Sequence, residues 1–295
     1  VNRAGVMLDR NESRIVTELH GELATPSGFA QLDIRLQAGA DLDALLLETQ
    51  IDNLSLATVA PDQGPLAFLG GLDAPLRLDL VMDAGRETGI RTASLELEVG
   101  AGRILSQGVD RDFRGAQLAL DFDPIAGALT VTRGEVDSDV VAGSLSGQIS
   151  ELGGYIGALP TEWNYRFEAG PGFVDMGDIF SRPPRWEALI ASGSADLSQR
   201  RLIFDQFDFQ LDGVAARLTG ETSLSEVEEG RWLPNLRLEG PVDGDITVDT
   251  VLAYWPVELA DSARNWVVEG ILGGRFYNAR IFMDIDAESI AAGAL

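Results

Sequence analysis

The sequence contains no cysteine, no lysine and only one histidine, His20. Without cysteine there is no disulfide, no thiolate nucleophile and no thiolate metal centre; that suits an oxidising compartment without requiring one. A single histidine excludes histidine-based triads and His-rich zinc sites. His20 lies in an alternating run, where a structural role is the simpler reading. All 22 basic residues are arginine, set against 47 acids, for a net charge of −25. Such a chain repels nucleic-acid backbones and broad docking on an anionic lipid surface, but not neutral acyl chains. No run of about 18 apolar residues occurs, so no transmembrane helix is predicted within it. Residues 1–13 lack the charged start and long apolar core of a signal peptide.

Enzymatic motifs are missing as well. There is no G-x-S-x-G and no Walker loop, and Gly100-Ala101-Gly102 does not open a helix as a dinucleotide fingerprint would. Acid pairs such as Asp121/Asp123 and Asp243/Asp245 lie on one strand face about 7 Å apart, a spacing open to acid–base chemistry. They recur on nearly every strand, so the simpler reading is a wetted face. Residues 242–249 (VDGDITVD) lack the third ligand and terminal Glu of an EF-hand loop. Neither catalysis, cofactor nor metal is expected.

What is present is strand after strand. Leu32, Ile34 and Leu36 alternate with Asp33, Arg35 and Gln37. Leu118, Leu120 and Phe122 oppose Gln117, Asp121 and Asp123. Trp163, Tyr165 and Phe167 form an aromatic stripe, and Phe207, Phe209 and Leu211 oppose Asp208 and Gln210 ahead of an Asp212-Gly213 hairpin turn. One apolar and one charged face imply an antiparallel sheet with a single wet side. About 16 such strands at about 4.8 Å spacing extend roughly 75 Å, too wide to stay flat. Two closures fit: a curled trough, or a sandwich or solenoid whose apolar faces meet. The predicted fold is mostly β, a long curved antiparallel sheet of the β-taco kind with a short helical segment near the C-terminus. Residues 1–248 form the groove segment, 249–270 the helical segment and 271–295 the start of a further β segment. Loops are expected at 61–75 and, with short helical pieces, at 173–190; a connector with room for a short strand at Ile104 is expected at 100–114 and a helical turn at 152–159.

Residues 128–148 also align without gaps to 201–221, an offset of 73, with identities at Leu129/Leu202, Asp139/Asp212, Val141/Val214, Ala142/Ala215, Leu145/Leu218 and Gly147/Gly220. The same offset sets Asp123 over Asp196. A repeat of several strands is predicted.

Only the 253–270 stretch has helical periodicity. Leu259, Ala263, Trp266 and Val267 fall on one face, Pro256 sits near the start and Gly270 past the end. Trp266 is expected to anchor this helix on the sheet, and Phe276–Ile285 to follow as a strand. Tyr254-Trp255-Pro256, Arg264, Trp266-Val267, Gly270 and Gly274 together resemble a segment of the AsmA-like bacterial envelope proteins of the YhdP and TamB type. The resemblance implies a fragment of a long periplasmic protein, with its inner-membrane anchor outside the sequence. It also implies a greasy β-groove engaged in phospholipid movement towards the outer membrane. Acyl chains would then contact Leu118, Leu120, Phe122, Trp163, Tyr165, Phe167, Phe207, Phe209 and Leu211, while Tyr254, Trp255, Pro256, Arg264, Trp266 and Gly270 would be structural. Two other readings remain at this point: a β-scaffold docking protein partners in the envelope, and, further off, a carbohydrate-active β-protein.

Overall fold

The structure, a computed structural model, describes residues 3–25, 28–41, 43–59, 70–106, 109–153, 160–175, 177–228, 231–257, 261–271 and 273–291. The chain is mostly β and divides into two compact units at Pro160.

The first unit contains β1 (Arg3–Arg10), β2 (Arg14–Thr25), β3 (Gly28–Gly39), β4 (Ala44–Ser55), α1 (Leu56–Val59), β5 (Leu72–Asp73), β6 (Pro75–Gly85), β7 (Gly89–Val99), β8 (Gly102–Ser106), β9 (Val109–Asp123), β10 (Ala128–Ser138) and β11 (Val141–Ser150). The long strands pair antiparallel in the order β1-β2-β3-β4-β6-β7-β9-β10-β11. Strand β8 continues beside β9 past the end of β7, and β5 pairs with β8.

The period of two in the sequence becomes two kinds of row across this sheet. Val6, Leu19, Ile34, Thr49, Leu80, Leu95, Leu120 and Val131 are successive cross-strand partners. One step along the strands, Met7, Glu18, Arg35, Glu48, Val81, Ser94, Asp121 and Thr130 form the next row, on the opposite face. Arg35 reaches Glu18 and Glu48 at 3.6 and 3.9 Å, and Arg77 reaches Asp79 and Asp52 at 2.9 and 3.6 Å. Exposed pairs like these stabilise little individually but keep that face wet. A buried cluster sits at one end of the sheet, where Leu56 of α1 joins Ala74, Leu76, Val99 and Phe113.

The second unit contains β12 (Glu162–Ala169), β13 (Gly172–Val174), β14 (Arg185–Asp196), β15 (Arg201–Leu211), β16 (Val214–Glu228), β17 (Arg231–Gly244), β18 (Ile246–Thr247), α2 (Val248–Tyr254), α3 (Asp261–Gly270), β19 (Arg275–Phe276), β20 (Ala279–Ile285) and α4 (Ala287–Ala291). Its sheet runs β12-β14-β15-β16-β17-β20, with β13 beside β14 and a separate β18–β19 ladder. Asp212 and Gly213 carry φ of +48° and +75°, the two left-handed residues of a tight hairpin turn.

Several expectations are corrected. Strand β1 lies ahead of the 15–23 run (IVTELHGEL), the first that reads as a strand in the sequence. The short strand at Ile104 is present as β8, but the 100–114 connector also holds the start of β9, and β14 begins inside the predicted 173–190 loop. Of the predicted turn at 152–159, Leu152 and Gly153 are irregular and 154–159 lie outside the described residues, as do 61–69 of the 61–75 loop. The predicted helix is two helices. Trp255, with ψ of 118°, is extended, because the proline ring of Pro256 disfavours the helical region for the residue before it. Leu259 lies outside the described residues. The strand predicted from Phe276 to Ile285 breaks at Asn278, whose φ is +53°.

Candidate apolar groove

The nine residues predicted to line a groove fall on the apolar faces of the two units. Leu118, Leu120 and Phe122 of β9 face Leu97, Leu95 and Ala93 of β7, and Gly134, Val131 and Leu129 of β10. All three are half-buried.

In the second unit the other six share one face. Trp163, Tyr165 and Phe167 on β12 are paired with Ala195, Gly193 and Ala191 on β14. Those three small residues are paired in turn with Leu202, Phe204 and Phe207 on β15. Two bulky strands thus flank a strand of minimal side chains. The rings touch in sequence: Trp163 to Tyr165 at 6.3 Å between centroids, Tyr165 to Phe167 at 6.0 Å and Tyr165 to Phe204 at 6.3 Å. Phe204 then meets Phe207 at 5.5 Å, and Phe207 meets Phe209 at 5.8 Å. Such ring pairs add about 0.5–1.5 kcal/mol beyond area burial.

Tyr165 bridges this lane to β15, its hydroxyl donating to the Ile203 carbonyl at 2.9 Å. The bridge depends on Gly193: a Cβ there would lie 1.9 Å from that same carbonyl oxygen. Burial pushes the Tyr165 phenol up to about 12, helped by the nearby Asp205 charge, so the hydroxyl stays a donor.

Phe204 was not predicted to line the groove. By strict alternation it falls on the opposite face from Phe207 and Phe209. A bulge breaks the alternation: β14 pairs Ser192 with Gln206 and Gly193 with Phe204, leaving Asp205 as an extra residue. On the other face, Gln206 donates to Asp208 at 2.7 Å. Leu211, paired with Trp186 and Val214, is half-buried at the hairpin end of the lane.

Packing on this face is largely lateral. The buried cluster Val214, Ala216, Leu218, Leu238, Val242 and Ile246 is joined by Phe204, Phe207, Phe209, Leu236, Ala279, Ile281 and Met283 from neighbouring strands of the sheet. Among the described residues the contribution from above is Val251 of α2. Trp163, Phe167, Phe204, Phe207 and Phe209 therefore remain only half-buried.

The residues predicted to be structural divide. Tyr254 does lock α2 down: its hydroxyl donates to Asp212, and Arg182 stacks 5.2 Å from its ring while pairing with Asp212 at 2.5 Å. Trp255 and Pro256 form the break between α2 and α3 and are half-buried, and Gly270 ends α3. Arg264 reaches Ser181 at 3.1 Å. Trp266 is 66% exposed and does not anchor α3; the buried residue is Val267. Of the described residues on the predicted face only Val267 turns inward, while Ala263 and Trp266 are exposed. Among the described residues no cluster of three metal-ligating side chains occurs. No family model, curated protein or solved structure matches this chain.

Proposed function

We propose that this chain is a periplasmic, non-enzymatic segment of an AsmA-like, inner-membrane-anchored protein. Its apolar sheet faces hold phospholipid acyl chains during movement between the membranes. The observation that carries the reading is the aromatic lane of β12 and β15. Of six touching rings, five stay half-exposed around the buried Tyr165, over a floor of Ala191, Gly193 and Ala195. An apolar surface of this kind calls for an apolar guest. Each methylene buried on it contributes about 0.8 kcal/mol, and the neutrality of a tail makes the acidic opposite face irrelevant to its affinity. The Leu118, Leu120 and Phe122 face of the first unit offers the same chemistry with Phe122 as its one ring among these three residues.

The test uses the two faces of one strand. A photo-crosslinking residue at position 209 is expected to capture phospholipid in cells, and the same residue at position 208 or 210 to capture none. Phe209→Asp is expected to abolish lipid capture while the chain stays folded, since an ionised group among tails is costly. Protein adducts without lipid at position 209 would replace the lipid reading with the protein-docking scaffold.

A further inference from the structure

We infer that the rim of the second unit, where the hairpin of β15 and β16 meets α2 and α3, binds a phosphate oxyanion through Arg264. The inference rests on the lipid reading above and adds to it a seat for the headgroup at the end of the aromatic lane.

Ten arginines among the described residues pair with carboxylates, as Arg114 does with Asp137 and Asp139. Arg264 differs. Its Nη2 donates to a neutral acceptor, Ser181 Oγ, at 3.1 Å, and its buried Nε has no hydrogen-bond acceptor among the described residues. A guanidinium edge held half-buried without a counter-charge is unfavourable unless an anion completes it. Nε and Nη2 form the edge that meets an oxyanion with two parallel hydrogen bonds. Ser181 lies exposed, so its hydroxyl can yield that edge to an incoming oxygen.

The surroundings favour the same ligand. Arg182, next to Ser181, shares its one carboxylate, Asp212, with the Tyr254 hydroxyl. This segment also carries Asp175, which accepts from Gly177 N at 2.9 Å, and Asp178, whose side chain lies outside the described residues. The Ile179 carbonyl accepts from Val257 N at 2.9 Å, fixing the 179–182 segment against the chain that joins the two helices. The position matters too. Val251 places α2 over the apolar face, and Asp212 directly follows Leu211 at the lane's end. At about 3.3 Å per residue, Phe204 to Asp212 spans roughly 25 Å, about the length of an extended acyl chain. A tail lying along β15 thus sets its phosphate at Arg264 and Arg182.

Binding of short-chain phosphatidylglycerol, octyl glucoside and inorganic phosphate to the 295-residue chain tests this by calorimetry. Arg264→Gln is expected to weaken phosphatidylglycerol about ten-fold and leave octyl glucoside within two-fold. Ser181→Ala, which removes only the neutral acceptor, is expected to bind phosphatidylglycerol at least as tightly as the parent. Phe209→Asp is expected to weaken both amphiphiles. An Arg264→Gln chain that melts like the parent and binds phosphatidylglycerol unchanged would overturn the site and leave the groove standing. Phosphate sensitivity to Arg264 with no effect of Phe209→Asp would overturn the groove alone. Inorganic phosphate binding as tightly as the lipid would overturn the headgroup assignment.

Discussion

In β9 to β11, Leu129 is paired with Phe122 on one side and Ile149 on the other; in β14 to β16, Leu202 is paired with Ala195 and Thr222. Each pair is displaced by 73 residues, and so are the rest. Val131 meets Leu120 and Gly147 as Phe204 meets Gly193 and Gly220. Thr132 and Asp205 are the extra residues of equivalent bulges, and a second break in register falls at Phe113 and at Trp186. Asp123 accepts from Ile125 N and Ala126 N, and Asp196 from Ser198 N and Gln199 N. The match extends to the preceding strands at an offset of 70: Leu95 is paired with Leu120 as Tyr165 is with Gly193, and Gly102 with Phe113 as Gly172 is with Trp186.

Inside this shared ladder the bulk changes strands. The Leu118/Gly134 pair becomes Ala191/Phe207, and Leu120/Val131 becomes Gly193/Phe204. Leu120/Val131 and Gly193/Phe204 hold the same number of side-chain carbons with the owner switched, the kind of swap cores tolerate best, while Ala191/Phe207 is bulkier than Leu118/Gly134. The hairpin aspartate is reused as well. Asp139 clamps Arg114 across strands at 2.7 Å, whereas Asp212 holds Arg182 and Tyr254. Register in this repeat follows from glycines, bulges and turn residues, and the side chains on the ladder are free to diverge.

The strongest way to break that comparison is at the shared glycine. Gly147 and Gly220 have φ of +156° and +155°, and a Cβ on Gly220 would lie 1.9 Å from the Arg237 carbonyl. Gly220→Val is expected to cost about 4 kcal/mol or more, read as a urea midpoint. An unchanged midpoint would show that register does not depend on this residue.

Transplanting bulk comes next. Gly193→Leu copies Leu120 into the second repeat and is expected to destabilise by about 3 kcal/mol through overpacking. Adding Phe204→Val and Tyr165→Leu, which completes the first repeat's arrangement, is expected to restore about 1 kcal/mol of that loss. Purely additive destabilisation would sink the idea of exchangeable volume.

Tyr165→Phe removes only the hydroxyl bridge to β15, for an expected loss of about 1 kcal/mol. With its folded pKa raised from 10.0 to about 12, the phenol's contribution is complete below pH 10 and fades as pH rises to 12. Ultraviolet titration should show one tyrosine ionising late, and this signal should vanish in the variant.

The smallest effect belongs to the Arg114 clamp. Hydrogen bonds from Arg114 hold the Asp137 and Asp139 carboxyls below their usual range. Their stabilisation is therefore present above pH 3.8 and lost as pH falls through the lowered values. Faster amide exchange at Val140 and Val141 should begin at a higher pH in Arg114→Gln than in the parent. Identical onsets would mean the clamp has no thermodynamic role.

Much of this was legible from period alone. Alternation put Leu118, Leu120 and Phe122 on one face, and Phe207 and Phe209 opposite Asp208, because a pleated strand allows no other arrangement. The offset of 73 was visible from six identities. Phe204 was hidden because a single bulge residue inverts parity beyond it, and bulges carry no side-chain signature. Trp266 and Val267 both fall within a stripe about 100° wide, and periodicity alone does not say which of the two turns inward; the buried one is Val267. The start of β14 was masked by Arg182-Pro183-Pro184-Arg185, which reads as irregular chain right up to the residue where pairing begins. The Arg264–Ser181 contact joins segments 83 residues apart, beyond the reach of any local pattern.

The near-sequential strand order has a kinetic consequence. From β1 through β4, and from β14 through β17, every strand pairs with the one just made. Loop closure is then short at each step, the contact order of those ladders is low, and hairpins form in microseconds. A chain delivered from either end can be zipped strand by strand. At each step it exposes a single growing edge instead of waiting for a distant partner.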